Sequence, residues 1–118
     1  MGDQRFDFGF WHSLDIEDCT ERSLDDWAEA GITVPQSPRY QDTPAHKGKL
    51  RWVLDACAER GMEAILLDPR TRVPGGDWDN RTPLPDDYRE RAEEAVRDFA
   101  DHPGVRGYYL RDEPPKGV

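Results

Sequence analysis

Met62-Glu-Ala-Ile-Leu-Leu67 is a nearly continuous apolar run that follows a glycine, Gly61, at the end of a helical pattern. Such a run is typical of a parallel strand that is covered on both faces. It predicts a strand over 62–67. The sequence on either side predicts which elements lie next to that strand.

The segment before this strand has helical spacing. Its apolar residues recur at i, i+3, i+4, i+7 and i+8, namely Leu50, Val53, Leu54, Cys57 and Ala58. This pattern predicts an amphipathic helix over 47–60. Further upstream, Ile32-Thr-Val-Pro35 predicts a short strand that ends at the proline, and residues 36–48 predict a long loop.

Two more elements are predicted toward the N-terminus. Phe6-Asp-Phe-Gly-Phe-Trp11 alternates large apolar residues with small or polar ones, which predicts a strand over 6–11. Ser23-Leu-Asp-Asp26 is similar to a capping box and predicts that a helix starts at Ser23. Gly31 then ends that helix, which covers 23–30.

The C-terminal part repeats the same alternation. Residues 70–85 have no apolar period and predict an irregular loop, and a helical pattern begins at Asp86. Asp101-His-Pro-Gly104 ends that helix. Val105-Arg-Gly-Tyr-Tyr-Leu110 predicts a fourth strand over 105–110.

The order β-α-β-α-β-α-β over 1–118 predicts one α/β domain with a parallel sheet of four strands and right-handed crossovers. Long polar loops follow the strands, whereas glycines close the opposite turns tightly. Parallel α/β folds place their sites at the carboxyl ends of the strands. We therefore expect any functional site at that edge.

Charge narrows the range of partners. The chain has 25 Asp plus Glu against 16 Lys plus Arg, a net charge of −9. Such a balance disfavours nucleic acid and anionic membranes as partners. No apolar run is long enough for a membrane span and no signal peptide is visible, so the sequence predicts a cytoplasmic protein.

Aromatic and charged residues gather at the predicted strand ends. A carboxylate and an arginine can hydrogen-bond sugar hydroxyls while an aromatic ring stacks on the apolar face of the sugar. This rim indicates a carbohydrate as a possible partner. Its candidate substrate-binding residues are Trp11, His12, Arg39, Tyr40, Asp68, Arg70 and Trp78.

The last predicted helix and strand carry a family resemblance. Phe99-Ala-Asp-His-Pro-Gly-Val-Arg-Gly-Tyr-Tyr-Leu-Arg-Asp-Glu-Pro114 resembles the segment that leads into strand four of (β/α)8-barrel (TIM-barrel) glycoside hydrolases of the clan A type. In that family a helix ends in His-Pro, and Asn-Glu-Pro or Asp-Glu-Pro follows the strand. The parent family of such barrels includes secreted enzymes.

The resemblance implies two catalytic positions. Glu113 matches the general acid/base of the family, which protonates the glycosidic oxygen and later activates water. Asp112 matches a position, more usually Asn, that contacts the hydroxyl next to the anomeric carbon. The family's nucleophile follows strand seven, which has no counterpart in these 118 residues.

A TIM barrel takes about 250 residues, so 118 residues with four strands match a half-barrel, (βα)3β. The resemblance thus implies a fragment that is weakly active or inactive by itself. Homodimerisation would complete a barrel-like assembly. The alternatives are a non-catalytic, self-associating half-barrel and a sugar-binding module without chemistry.

Other chemistries receive less support. The sequence has no GxSxG, Walker or GxGxxG pattern, and its histidines lack HxH or HExxH spacing. No cofactor and no metal is expected. A metal site formed by His12, Asp68 and Glu113 is a less favoured alternative, and Asp68 before Pro69 has an alternative as a simple turn residue.

Overall fold

The computed structural model describes residues 9–10, 12, 14–72 and 86–109. Within them, strands and helices alternate as the sequence predicts. The strands are β1 (Gly9–Phe10), β2 (Val34–Pro35), β3 (Ala64–Leu66) and β4 (Val105–Tyr108), and the helices are α1 (Glu21–Glu29), α2 (Pro44–Glu59) and α3 (Tyr88–Phe99). A short 3-10 helix, Ile16–Asp18, precedes α1 and was not expected from the sequence.

The strands are parallel and lie side by side in chain order. β1 pairs with β2 and β3 pairs with β4. A parallel bridge between Gln36 and Ile65 joins the two pairs, and the Ser37 amide donates to the Ile65 carbonyl at 2.8 Å. The carboxyl ends of all four strands therefore lie along one edge.

The helices cover one face of this sheet. Ala64 and Leu66 of β3 are buried there against α2, whose Leu50 and Leu54 are completely buried. Side chains alternate between the faces of a strand. Ile65 and Leu67, which point to the opposite face, are only half-buried.

Two helices start earlier than predicted. The N-cap of α1 is Thr20, which accepts from the Ser23 amide, while the Ser23 hydroxyl accepts from the Thr20 amide. The prediction of Ser23 as the N-cap was wrong, because Thr20 occupies that position first. α2 starts at Pro44 instead of 47, because Thr43 caps it and proline fits the first helical turn.

The glycine stops are confirmed. Gly31 and Gly61 have φ values of 85° and 74°, which ends α1 and α2 in the left-handed conformation that glycine adopts without strain. β3 is shorter than predicted at its start, since the Met62 amide donates to the Cys57 carbonyl at 2.8 Å as part of the helix-ending turn.

Gly104 enters β4 where the chain passes against the backbone of α2. A Cβ at this position would lie 2.5 Å from the Leu54 carbonyl oxygen, whereas a Cβ at Gly48 in α2 would meet nothing within 4 Å. We expect Gly104→Ala to lower the free energy of unfolding by about 1–3 kcal/mol, as overpacking does. Urea denaturation followed by circular dichroism measures this change.

Gly48→Ala is the matched control. It adds the same methyl group in open space inside a helix, so it should raise the free energy of unfolding by about 0.5–1 kcal/mol. Equal urea midpoints for Gly104→Ala and the unsubstituted chain would contradict the close approach to Leu54.

Candidate functional site

The predicted site residues that the structure describes follow the carboxyl ends of the first three strands. His12 comes after β1, Arg39 and Tyr40 come after β2, and Asp68 and Arg70 come after β3. Trp11, Trp78, Asp112 and Glu113 lie outside the described residues.

Asp68 lies at the centre of the site and is completely buried. Its Oδ2 accepts from the Tyr40 hydroxyl at 2.7 Å and from Arg70 Nη2 at 2.9 Å. Its Oδ1 accepts from Arg70 Nε at 3.0 Å and from the Arg70 amide at 2.8 Å. The carboxylate and guanidinium thus form a bidentate pair, the geometry that makes such hydrogen bonds strong.

These contacts keep Asp68 ionised. Burial acts to raise the pKa of Asp68, but hydrogen bonds from Arg70 and Tyr40 outweigh burial and lower that pKa below its ordinary value. Burial and the neighbouring carboxylate raise the pKa of Tyr40. Asp68 is therefore an acceptor without the proton that a general acid must supply, and Tyr40 is a neutral donor.

Arg70 continues the network to the helices. It is 4% exposed, and its Nη1 donates to Asp98 of α3 at 2.8 Å. Lys47 of α2 contacts the same Asp98 oxygen at 3.4 Å and Asp42 at 2.9 Å. Burial acts to raise the pKa of Asp98, but the hydrogen bond from Arg70 outweighs it and lowers that pKa.

His12 joins the first two strands. Its Nδ1 accepts from the Leu14 amide at 3.1 Å, so the neutral ring carries its proton on Nε2, which donates to the Gln36 carbonyl at 2.8 Å. The ring stacks on Trp27 with centroids 5.1 Å apart. His12 therefore fixes the end of β1 against the segment that follows β2.

Arg39 differs from the buried group because its side chain is 52% exposed. Its Nε donates to Asp15 Oδ1 at 3.0 Å, and its backbone bridges to Asp15 beyond the end of β2. The structure thus brings Tyr40, Asp68 and Arg70 into one network and places Arg39 at the surface. Contact of any of them with a substrate stays a prediction.

Sequence reasoning missed two members of the site. Asp98 lies on a helix surface that the sequence pattern predicts to be exposed to solvent. Its partner Arg70 is far away in sequence, so no local pattern predicts the pair. Ser37 is buried, and its hydroxyl accepts from the Leu67 amide at 3.0 Å, which ties β2 to β3. The only sequence signal for Ser37 is its place between two prolines.

One side of α3 carries a shallow apolar groove. Val96 is 42% exposed there, beside the half-buried Tyr88 and Ala92. Arg89, Glu93 and Arg97 flank these side chains. We call this surface the α3 groove.

Among the residues that the structure describes, no three His, Cys, Asp or Glu side chains are arranged to hold a metal ion. Within the same residues, no helix has the length and apolar character of a membrane span.

No protein-family model matches this sequence, and no curated protein matches it. Among solved structures, the fold is similar to the crystal structure of Pseudomonas stutzeri endoglucanase Cel5A in complex with cellobiose, with a TM-score of 0.59 and 19% sequence identity. The match covers 80% of this chain but 32% of the endoglucanase chain. The chain therefore has the α/β fold of part of a TIM-barrel glycoside hydrolase and spans about a third of its length.

Because Asp68 and Arg70 form a buried ion pair, we expect the removal of one of the two charges to lower the free energy of unfolding strongly. Asp68→Asn keeps the shape of the side chain but leaves Arg70 buried without its bidentate partner. We expect a loss of about 3 kcal/mol in the free energy of unfolding, measured by urea denaturation at neutral pH. Asp15→Asn, which removes an exposed partner of Arg39, is the control and should change stability by less than about 1 kcal/mol.

The ion pair of Asp68 and Arg70 also determines in which direction the stability of the fold changes with pH. Because the folded-state pKa of Asp68 is lowered, its stabilisation is complete above the unfolded-state value of about 3.9 and is lost as the pH falls through the folded-state value. The stability gap between the unsubstituted chain and Asp68→Asn should therefore narrow below about pH 4. A gap that stays constant down to pH 2 would contradict an ionised Asp68.

Proposed function

We propose that this chain is part of a carbohydrate-hydrolysing barrel and carries the acid/base half of its site. The observation that carries this proposal is the set of four parallel strands in chain order, whose fourth member leads within a few residues to Asp112-Glu113. Fold likeness to part of an endoglucanase supports it.

In the proposed mechanism, Glu113 acts as the general acid and donates its proton to the glycosidic oxygen as the bond to the leaving group breaks. The resulting carboxylate then takes a proton from the water whose oxygen bonds to the anomeric carbon. Asp112 accepts a hydrogen bond from the hydroxyl next to the anomeric carbon. A retaining reaction also needs a second carboxyl group about 5–5.5 Å away, which in the related family comes from strand seven.

The remaining candidates form the pocket in this proposal. Arg39 is placed at the surface, where it can donate to sugar hydroxyls, and Trp11 and Trp78 are assigned as stacking platforms. Tyr40, Asp68 and Arg70 form the floor of the pocket, since their buried hydrogen bonds hold the strand ends in fixed positions. His12 holds the end of β1 at one side of this pocket.

Turnover of an aryl glycoside tests the role of Glu113. General acid/base catalysis contributes about 10²–10⁴-fold, so Glu113→Gln should reduce the low rate of the unsubstituted chain by at least tenfold. Glu90→Gln on the exposed side of α3 is the matched control and should keep that rate.

Equal rates for the unsubstituted chain and Glu113→Gln would remove the catalytic role. A carbohydrate-dependent rise in Tm that persists in Glu113→Gln would then favour a sugar-binding module without chemistry.

A second candidate function is self-association. It is favoured by the α3 groove, where Val96 is exposed, and by Ile65 and Leu67, which are only half-buried on the sheet face opposite α2. In a closed barrel such surfaces lie against further strands and helices. A second copy of the chain can cover them in a homodimer, because burial of apolar area drives association.

Size-exclusion chromatography with light scattering tests this association. We expect a mass of about twice the 13.6 kDa of one chain. Val96→Glu should shift the mass toward one chain, since it places a charge in the α3 groove. Trp52→Gln changes a comparably exposed apolar side chain on α2 and should leave the mass unchanged. A mass of 13.6 kDa for the unsubstituted chain would contradict self-association.

A further inference from the structure

The α3 groove lies on the side of α3 that faces away from α2. Asp98 marks the opposite side of α3, since it contacts Lys47 of α2 at 3.4 Å. An α-helix turns by about 100° per residue, so Val96 points about 200° away from Asp98. Val96 is 42% exposed. The groove is therefore accessible to a second molecule.

A row of alternating charges runs beside this groove. Arg89, Glu93, Arg97 and Asp101 follow one another at four-residue intervals, which places neighbours in the row next to each other on a helix surface. Asp101 continues the row just beyond the C-cap, Ala100. All four charged residues are exposed. Arg89 and Glu93 form an ion pair at 3.1 Å, but an exposed pair of this kind contributes little to stability.

The charge row is complementary to itself when its direction is reversed. From Arg89 onward the signs are plus, minus, plus and minus, and from Asp101 backward they are minus, plus, minus and plus. Two antiparallel copies of α3 can thus place Arg89 opposite the partner's Asp101 and Glu93 opposite the partner's Arg97. Parallel copies in the same register would bring like charges together, which is unfavourable. The charges therefore favour an antiparallel pair.

The same alignment packs the apolar residues of the groove. Its two-fold axis passes level with Ala95, halfway between Glu93 and Arg97. With a rise of about 1.5 Å per residue, Val96 lies about 3 Å along the helix axis from both the partner's Val96 and the partner's Ala92. The small Ala92 leaves room for Val96 between these two side chains. The contact buries apolar area, which drives association.

We propose that the α3 groove docks α3 of a second copy, antiparallel, with Val96 at the centre and reciprocal Glu93–Arg97 ion pairs at the edge. This inference rests on the proposed self-association and specifies its surface and its orientation. The contact joins two copies through helices, so it does not itself close a barrel.

Exchange of the two charges tests the orientation by size-exclusion chromatography with light scattering. In Glu93→Arg, and separately in Arg97→Glu, positions 93 and 97 carry the same charge. We expect each variant alone to have the mass of one chain, 13.6 kDa. In an equimolar mixture, the new arginine of one variant faces the new glutamate of the other, and Arg97 of the first faces Glu93 of the second. The mixture should recover about twice the mass of one chain.

Glu90→Arg is the matched control. Glu90 is exposed on α3 but lies outside the charge row, and its substitution changes the net charge as much as Glu93→Arg does. The mass of this variant should stay at about two chains. Because the exchanged side chains are exposed, every variant should keep the circular dichroism spectrum of the unsubstituted chain.

Disulfide crosslinking gives a second measurement that needs no charge exchange. Val96→Cys places two thiols close to the axis, so treatment with the thiol oxidant diamide should give a crosslinked dimer on a non-reducing gel. Arg89→Cys should give none, since the two positions are about 18 Å apart along the helix axis and a disulfide joins Cα atoms about 4.4–6.8 Å apart. Cys19 and Cys57 are 1% and 0% exposed and do not compete.

The two possible failures are distinguishable. A mass of 13.6 kDa for the unsubstituted chain contradicts self-association itself. A doubled mass that persists in Glu93→Arg and Arg97→Glu, with no crosslink in Val96→Cys, leaves self-association standing and overturns docking at the α3 groove. A mixture of the two charge variants that stays at the mass of one chain overturns the antiparallel orientation.

Discussion

The ion pair of Asp68 and Arg70 is the contact on which the arrangement of the strand ends depends. Removing two charges from water costs several kcal/mol per ion, and the pair offsets this cost only if its remaining donors and acceptors also form hydrogen bonds. The Tyr40 hydroxyl donates to Asp68 at 2.7 Å, and Arg70 donates to Asp98 at 2.8 Å. The segment after β2, the end of β3 and the helix α3 must therefore assemble around one centre.

This requirement explains why the strands can be so short. β2 has two residues and β3 has three, which leaves few ladder hydrogen bonds to set the register. Side chains supply the missing links: His12 joins the end of β1 to Gln36, Ser37 joins β2 to Leu67, and Thr71 joins β3 to Tyr109. All three links lie at the carboxyl edge, so the most constrained part of the sheet is the part expected to carry the site. Among the residues that the structure describes, the opposite face of β3 and the α3 groove are less covered, as expected for a portion of a barrel.

Elements with a local physical signal could be predicted from the sequence. The stops at Gly31 and Gly61 and the apolar face of α2 depend on residues close together in the chain, and they are where the sequence placed them. The start of α1 was misplaced because Thr20 and Ser23 can both cap a helix, and their reciprocal hydrogen bonds decide between them only in three dimensions. In the site, the parallel order predicted that Tyr40, Asp68 and Arg70 would lie at one edge. Their burial could not be predicted, because it depends on Asp98, 28 residues from Arg70, and on how α3 packs.

The state of the Arg70 guanidinium can be observed directly. Hydrogen exchange of arginine Nε–H groups, measured by 15N NMR on the unsubstituted chain at neutral pH, compares Arg70 with Arg89, whose side chain is 89% exposed. If the Arg70 Nε–H is buried in its hydrogen bond to Asp68 at 3.0 Å, it exchanges many times more slowly than that of Arg89, because exchange requires opening of the surrounding structure. Exchange of Arg70 as fast as that of Arg89 would show that the pair is open to water and does not organise the strand ends.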